Sequence, residues 1–318
     1  MFYQSTETAK RIGSQVLAEV QRQLTQVGVA NEDMALTLLL HPSRLTDSEG
    51  VGTDWPEGFS YQGSKPFYPA SVVKSFYLAA VEDALDAGRV TMHEELERAM
   101  RDMILWSSNN ATNYIIDLIS ETTGDTLLQG AELTEWQTRR QVANRYFQGL
   151  GWPQTQGINV CQKLMDDDRY GRERLFATLG GNNHNRLTSD ATARLFFEIF
   201  NASLGSPARS KRMQNRFHRP LTPEFAEQEH AQVRSFLGGG LPQAATLYSK
   251  AGWNGWTGDP LSSYNRHDAA YVEMAQDSSS VYGAFTLVLF SHGKAVSTDE
   301  QVFPEIGRAA YGLIDGAR

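Results

Sequence analysis

Phe67-Tyr68-Pro69-Ala70-Ser71-Val72-Val73-Lys74-Ser75-Phe76-Tyr77-Leu78 is the stretch around which the chain is organised. Proline fits a first helical turn but not a helix interior, so Pro69 and Ala70 mark a helix start. The helix is expected to run to about Leu85, with Gly88 as its stop signal. Ser71 and Lys74 are three apart, which puts both side chains on one face, a turn from each other. That spacing suits a nucleophile and its activator, because a serine hydroxyl attacks well only when a neighbouring base takes its proton. Taken alone, the pair is matched equally by a surface serine and lysine, both common residues. A second copy, Ser291-His292-Gly293-Lys294, trails a strand and contains glycine, so it reads as a turn. What sets the first copy apart lies elsewhere in the chain.

Outward from this stretch, the composition bounds the function. With 318 residues the chain can build one large domain or two intimate ones. Hydrophobic content of 41% and charged content of 21% are those of a globular protein. A net charge of −8 argues against a nucleic-acid partner, since no basic stripe is available to neutralise phosphates. The small basic group Arg209, Lys211, Arg212, Arg216 and Arg219 reads as the solvated face of a helix. No apolar run reaches the roughly 18 residues of a membrane span. The N-terminus lacks a basic segment followed by an apolar one, so the expected location is cytoplasmic, or periplasmic or secreted if a leader has been removed. Cys161 is the one cysteine, which rules out an internal disulfide, and the seven histidines show no zinc-type spacing. Neither a metal nor a cofactor is expected.

Residues 5–28 carry apolar positions at helical spacing, among them Ile12, Val16, Val20 and Leu24. Met34–Leu40 reads as a strand and Glu57–Gln62 as its hairpin partner. Helices are expected at 91–106 with Thr91 as cap, at Ala111–Ser120, at Leu133–Phe147, at Arg172–Leu179, at Ser189–Phe200, at Arg209–Phe217 and at Pro223–Phe236. Gly238-Gly239-Gly240-Leu241-Pro242 is the clearest break. Beyond it Ala245–Ser249, Ala269–Met274 and Tyr282–Phe290 read as strands, and Thr298–Ile314 as a closing helix. The fold class is therefore α+β: an antiparallel sheet flanked by N- and C-terminal helices, with an inserted all-helical subdomain. Residues 1–66 and 240–318 would form the sheet subdomain and 67–239 the helical one.

Three short motifs fall in one order: Ser71-Val72-Val73-Lys74 at a helix start, Ser107-Ser108-Asn109 on a turn, and Lys250-Ala251-Gly252 at the end of a strand. This resembles the penicillin-recognising serine enzymes, in particular the class A β-lactamases, with their Ser-x-x-Lys, Ser-Asp-Asn and Lys-Thr-Gly signatures. Phe67–Ser71, the run Asn109-Asn110-Ala111-Thr112-Asn113, and Asn185-Arg186-Leu187-Thr188-Ser189-Asp190 resemble that family too. The resemblance covers roughly residues 30–318. It implies that Ser71 is the acyl-accepting nucleophile and Lys74 its base. Ser107 would relay a proton to the leaving group, and Asn109 would hold the substrate amide. Lys250 would lower the pKa of that relay and attract a substrate carboxylate. The N–H groups of Ser71 and Trp253 would form an oxyanion hole, in which one donor is worth about 3 kcal/mol. Arg266 resembles the family's carboxylate-binding arginine, and reads equally as a surface arginine at a strand start.

Several positions depart from the pattern. Ser108 replaces the motif's aspartate and removes a hydrogen-bonding partner, and Ala251 replaces a threonine and removes a hydroxyl. The family's water-activating glutamate, followed four residues later by asparagine, is missing. Counting back from Thr188 places Glu173 near it, with Ala177 where the asparagine belongs; Asp166, Asp167 and Asp168 are other carboxylates in the segment. The resemblance thus implies a serine acyl-transfer enzyme working on a small β-lactam, amide or ester. A β-lactamase-like hydrolase comes first. An esterase, a peptidase or an amide-forming transacylase follows, favoured by the missing base. A slow acylated sensor is the non-catalytic alternative.

Overall fold

Strand β1 (Met34–His41) is buried along its whole length, which is why its sequence is a continuous apolar run and not an alternating one. Its alternate side chains still go opposite ways. Ala35 and Leu39 join one core cluster, and Leu36, Leu38 and Leu40 join another on the far face. A sheet with apolar groups on both faces must be covered twice, and the rest of the chain does so.

The computed structural model describes residues 2–47, 55–165 and 169–317. One cover is made by α1 (Glu7–Gln26) together with two C-terminal helices taken up below. After β1 the chain runs through β2 (Glu57–Tyr61) and a 3-10 turn (Ala70–Val72) into α2 (Val73–Asp86). The helices α3 (Glu94–Leu105), α4 (Asn109–Ser120), α5 (Gly130–Arg140), α6 (Val142–Gly149), α7 (Gly171–Ala177), α8 (Ser189–Phe200) and α9 (Pro207–Phe217) follow. Then come β3 (His218–Arg219), a short α10 (Pro223–Ala226), and the strands β4 (Thr246–Asn254), β5 (Asn265–Glu273) and β6 (Ala284–His292). Helices α11 (Lys294–Thr298) and α12 (Val302–Asp315) close the chain. The strands form one sheet in the order β2-β1-β6-β5-β4-β3, and every pairing in it is antiparallel. This is the α+β architecture expected from the sequence.

Helix α2 is the centre of the second cover. Nearly all of its residues from Val73 to Ala84 are buried, so apolar side chains lie all round it, and its buried Lys74 and Glu82 find polar partners. Phe76 packs on Phe147 of α6 at 4.8 Å between ring centroids. Among the described residues, no helix is long and apolar enough to cross a membrane.

Several expected elements differ. The long helix over Pro223–Phe236 stops at Ala226. Beyond it the backbone reverses, and Gln232 takes a left-handed φ of 54° that no helix accommodates. Leu133–Phe147 is two helices because its apolar residues serve two clusters: Trp136 packs with Phe176, whereas Phe147 enters the main core. The closing helix starts at Val302 and not at Thr298, which ends α11; between them Asp299 Oδ1 accepts from the N–H groups of Gln301 and Val302, both at 2.8 Å. Helix α3 starts at Glu94, capped by His93 and not by Thr91. The stretch 67–239 contributes one short edge strand, β3, to the sheet. The basic group is a solvated face only in part: Lys211 is exposed, but Arg209 and Arg219 are buried, and Arg212 and Arg216 pair with Glu82 and Glu97.

Candidate active site

Ser71 lies in the 3-10 turn ahead of α2, one residue after Ala70, whose φ of 45° is costly for any residue with a Cβ. Two contacts hold the chain there. A Cβ on Gly252 of β4 would sit 2.6 Å from Ser71 N and 2.8 Å from Pro69 O and Val72 N. Only glycine lets the strand approach this backbone so closely. From β5, His267 Nε2 donates to Tyr68 O at 2.8 Å while its Nδ1 accepts from Ser291 N at 3.1 Å. Burial pushes His267 down to about 4, so it remains neutral with its proton on Nε2.

Lys74, one turn into the helical segment, is buried, and its ammonium reaches acceptors on two elements. Nζ donates to Ser71 Oγ at 3.0 Å and to Asn109 Oδ1 at 2.7 Å. Ser107 Oγ at 3.1 Å and Ser107 O at 2.5 Å are also within reach, so the three N–H groups of Nζ are shared among four acceptors. Ser107 occupies the turn between α3 and α4 with φ 56°, a second strained backbone position at the same place. That turn is pinned from the sheet edge. The buried Arg219 guanidinium donates to the carbonyls of Ile104 at 2.7 Å, Leu105 at 3.0 Å, Ala231 at 2.5 Å and Ser249 at 3.0 Å. It thereby satisfies carbonyls at the α3 C-terminus that have no partner within the helix. Ser108 Oγ accepts from Ala111 N at 3.1 Å and caps α4. Serine fills this capping role about as well as aspartate does.

Lys250 lies within β4, not at its end, because the strand continues to Asn254. Its Nζ donates to Ser107 Oγ at 3.0 Å, to Ala251 O at 2.7 Å and to Gln232 Oε1. Burial, and after it the Lys74 and Arg219 charges, hold this ammonium well below the usual lysine range, with Asp268 opposing. Burial also raises Asp268 itself to about 6. Ala251 turns its methyl into the cluster on the α1 and α12 side and offers its carbonyl to Lys250.

Ser71, Ser107, Asn109, Gln232, Trp253 and Arg266 line one cavity of about 950 Å³. Arg266 is 3% exposed, which excludes the surface reading. Its guanidinium donates to Ser235 O at 2.5 Å and Ser297 O at 3.3 Å, lies 4.6 Å over the Phe236 ring, and is pushed down to about 10 by burial. Glu173 belongs to a different cluster. Arg140 donates to both of its carboxylate oxygens, at 2.6 and 3.2 Å, and Lys163 and Asp117 complete a buried ion-pair group joining α4, α5 and α7. Glu173 is not among the residues lining the cavity. Asp166, Asp167 and Asp168 fall outside the described residues.

The arrangement is suited to moving a proton between two oxygens. Ser107 Oγ lies within hydrogen-bond distance of both lysines, at 3.1 and 3.0 Å, and Ser107 lines the cavity. Sequence reasoning passed over His267 and Gln232, read Arg219 as part of a solvated face, and gave Asn113, at the end of the Asn109 run, no role of its own. Asn113 clamps Leu164 to α4, accepting from its N–H at 2.9 Å and donating to its carbonyl at 2.7 Å. Its place one turn after Asn109 on the same helix face was a usable signal; nothing local marked Gln232.

No curated protein sequence matches the chain at a significant level. Solved structures resemble it over nearly its whole length. A β-lactamase from Sphaerobacter thermophilus is 19% identical with a TM-score of 0.62, covering 95% of this chain and 98% of that one. A β-lactamase from Xanthomonas campestris is 16% identical with a TM-score of 0.61, over 95% and 98%. A mutant of PBP-A, in an acyl-enzyme complex with penicillin G, is 18% identical with a TM-score of 0.59, over 94% and 96%. These likenesses establish the fold. The family model described as "Beta-lactamase enzyme family" matches residues 95–314, a span that contains Ser107, Asn109, Lys250 and Arg266 and begins after Lys74. The chain belongs to the β-lactamase enzyme family.

Proposed function

We propose that the protein cleaves the amide or ester bond of a small acyl donor, β-lactams included, through a covalent acyl-enzyme on Ser71. The observation that carries this reading is the position of Lys74 Nζ, 3.0 Å from Ser71 Oγ and 3.1 Å from Ser107 Oγ. In its neutral form Lys74 takes the Ser71 proton as Oγ bonds to the acyl carbon. The N–H groups of Ser71 and Trp253 receive the charge that develops on the carbonyl oxygen. As the carbon–nitrogen or carbon–oxygen bond breaks, Ser107 gives its proton to the leaving atom and recovers one from the lysine pair. Lys250 suits that exchange, since an ammonium held in a dry site beside another charge releases a proton readily. Asn109 orients the donor's amide. Arg266 and Lys250 make the cavity favourable for a carboxylate on the donor.

A second reading, in which the acyl group passes to an amine instead of water, is favoured by the engagement of Glu173 with Arg140. A carboxylate committed to a guanidinium is a poor base for water. Under this reading Glu173 has a structural role, and the acyl-enzyme persists until an acceptor arrives. Incubating the protein with a β-lactam and with an activated ester, with and without an amine, and following intact mass and product, separates these outcomes. Turnover in water supports the hydrolase; turnover only with amine supports the transacylase; a persistent adduct supports a slow acylated enzyme. Ser71→Ala behaving like the unaltered protein in every arm would remove Ser71 as nucleophile.

A further inference from the structure

An ammonium has three N–H donors and no more. In this structure Lys250 gives them to Ser107 Oγ, Ala251 O and Gln232 Oε1. A carboxylate that is to bind Lys250 must therefore displace one of the three. Ser107 sits in a turn pinned by Arg219 and is shared with Lys74. Ala251 O is backbone in the middle of β4. That leaves the flexible side chain of Gln232, which lines the cavity and is only partly buried. We propose that Gln232 is a specificity-determining residue whose amide oxygen occupies the carboxylate position on Lys250, so that a donor's carboxylate binds by pushing that side chain aside.

The backbone around Gln232 supports the assignment. Its φ of 54° is uncommon for a residue with a long side chain. The preceding Ala231 is fully buried, with its carbonyl held by Arg219. The segment is thus fixed in a strained conformation that aims residue 232 at Lys250, and such strain persists only where the surrounding structure imposes it. The glutamine is neutral, so it fills the site without cancelling the charge that attracts an anion. Its effect is selective. Donors with a carboxylate must displace it, whereas neutral donors that do not use Lys250 are indifferent to it. The identity of the displacing group as a carboxylate rests on the function proposed above; the occupancy of Lys250 does not.

The test compares phenylacetate with phenylacetamide, two unreactive probes differing in the one group, by NMR titration of the unaltered protein, Gln232→Asn and Gln232→Glu. Asparagine is too short to reach Lys250 and tolerates a positive φ, so that variant folds and empties the position. Removing the self-occupant is expected to tighten phenylacetate about fivefold or more, by raising the binding-competent fraction, and to leave phenylacetamide within about twofold. Gln232→Glu, which places a permanent carboxylate on Lys250, is expected to weaken phenylacetate by about tenfold while sparing the amide. Unchanged or weaker phenylacetate binding in Gln232→Asn, or equal shifts for both probes, would overturn the proposal. Failure of Ser71 to acylate would not touch this ratio, so the two readings fail separately.

Discussion

At the scale of single residues the site is a problem of shared protons. Two lysines reach one serine oxygen, Ser107 Oγ, and in the proposed mechanism that hydroxyl supplies the leaving group's proton. Ser107→Ala leaves Lys74 within reach of Ser71 but removes the relay. Adduct formation at Ser71, followed by intact mass against time, is expected to slow by about 100-fold to 10,000-fold, the range for loss of a positioned general acid. A change of less than about tenfold would show that solvent or Lys74 delivers the proton directly. Arg219, at one residue's cost, closes the C-terminal end of a helix and fixes the turn on which Ser107 stands.

At the scale of elements, the approach of β4 to the turn before α2 sets the geometry around Ser71. The three nearest atoms to a Cβ at position 252 are all backbone and cannot rotate away. Gly252→Ala is expected to push the strand off Ser71, lower acylation by about 100-fold through the misplaced oxyanion donors, and cost about 1–3 kcal/mol of stability. Thermal unfolding and adduct kinetics check the two effects. The ion-pair group of α4, α5 and α7 gives a contrasting prediction. Glu173→Gln breaks a pair in which both partners are buried and is expected to destabilise on the order of 3 kcal/mol. The lifetime of the acyl-enzyme should be unaltered, measured as decay of the mass adduct. A variant of normal stability whose adduct persists far longer would restore Glu173 as the water-activating base.

At the scale of the whole molecule, a two-faced sheet buries titratable groups along with its apolar ones, and this makes stability depend on pH. Burial holds His41 at about 3 and His267 at about 4, both below the unfolded histidine value of about 6.5. Between those values the unfolded chain binds protons that the folded protein refuses. Stability is therefore lost as pH falls from about 6.5 toward 4, by up to about 1.4 kcal/mol per pH unit for each histidine. Asp268, raised to about 6, acts in the opposite sense: the folded protein binds its proton first, and part of the loss is returned below pH 6. Unfolding free energies from denaturant titrations at pH 7, 6, 5 and 4 should fall with decreasing pH. His41→Asn should flatten the profile by one histidine's share, and a profile unchanged by that substitution would show that His41 is not held neutral.

The α+β class, most strand and helix positions, and the motif residues Ser71, Lys74, Ser107, Asn109 and Lys250 were readable in the sequence alone. Each rests on a local signal, such as apolar periodicity, a cap, a proline or a short spacing, that a chain carries before it folds. The sequence failed where a side chain answers to partners far along the chain. Arg219 looked like one of a solvated basic group because nothing nearby reveals that its guanidinium ends among four carbonyls from three segments. The stretch after Ala226 has helical apolar spacing, yet it bends to bring Ala231 to Arg219 and Gln232 to Lys250. Glu173 lay at a plausible count from Thr188, but Arg140, 33 residues earlier, claimed its carboxylate. Periodicity records how much surface a segment must bury; which charges and carbonyls meet once it is buried is decided only when distant segments close on one another, because leaving polar groups unpaired in the dry interior they create is costly.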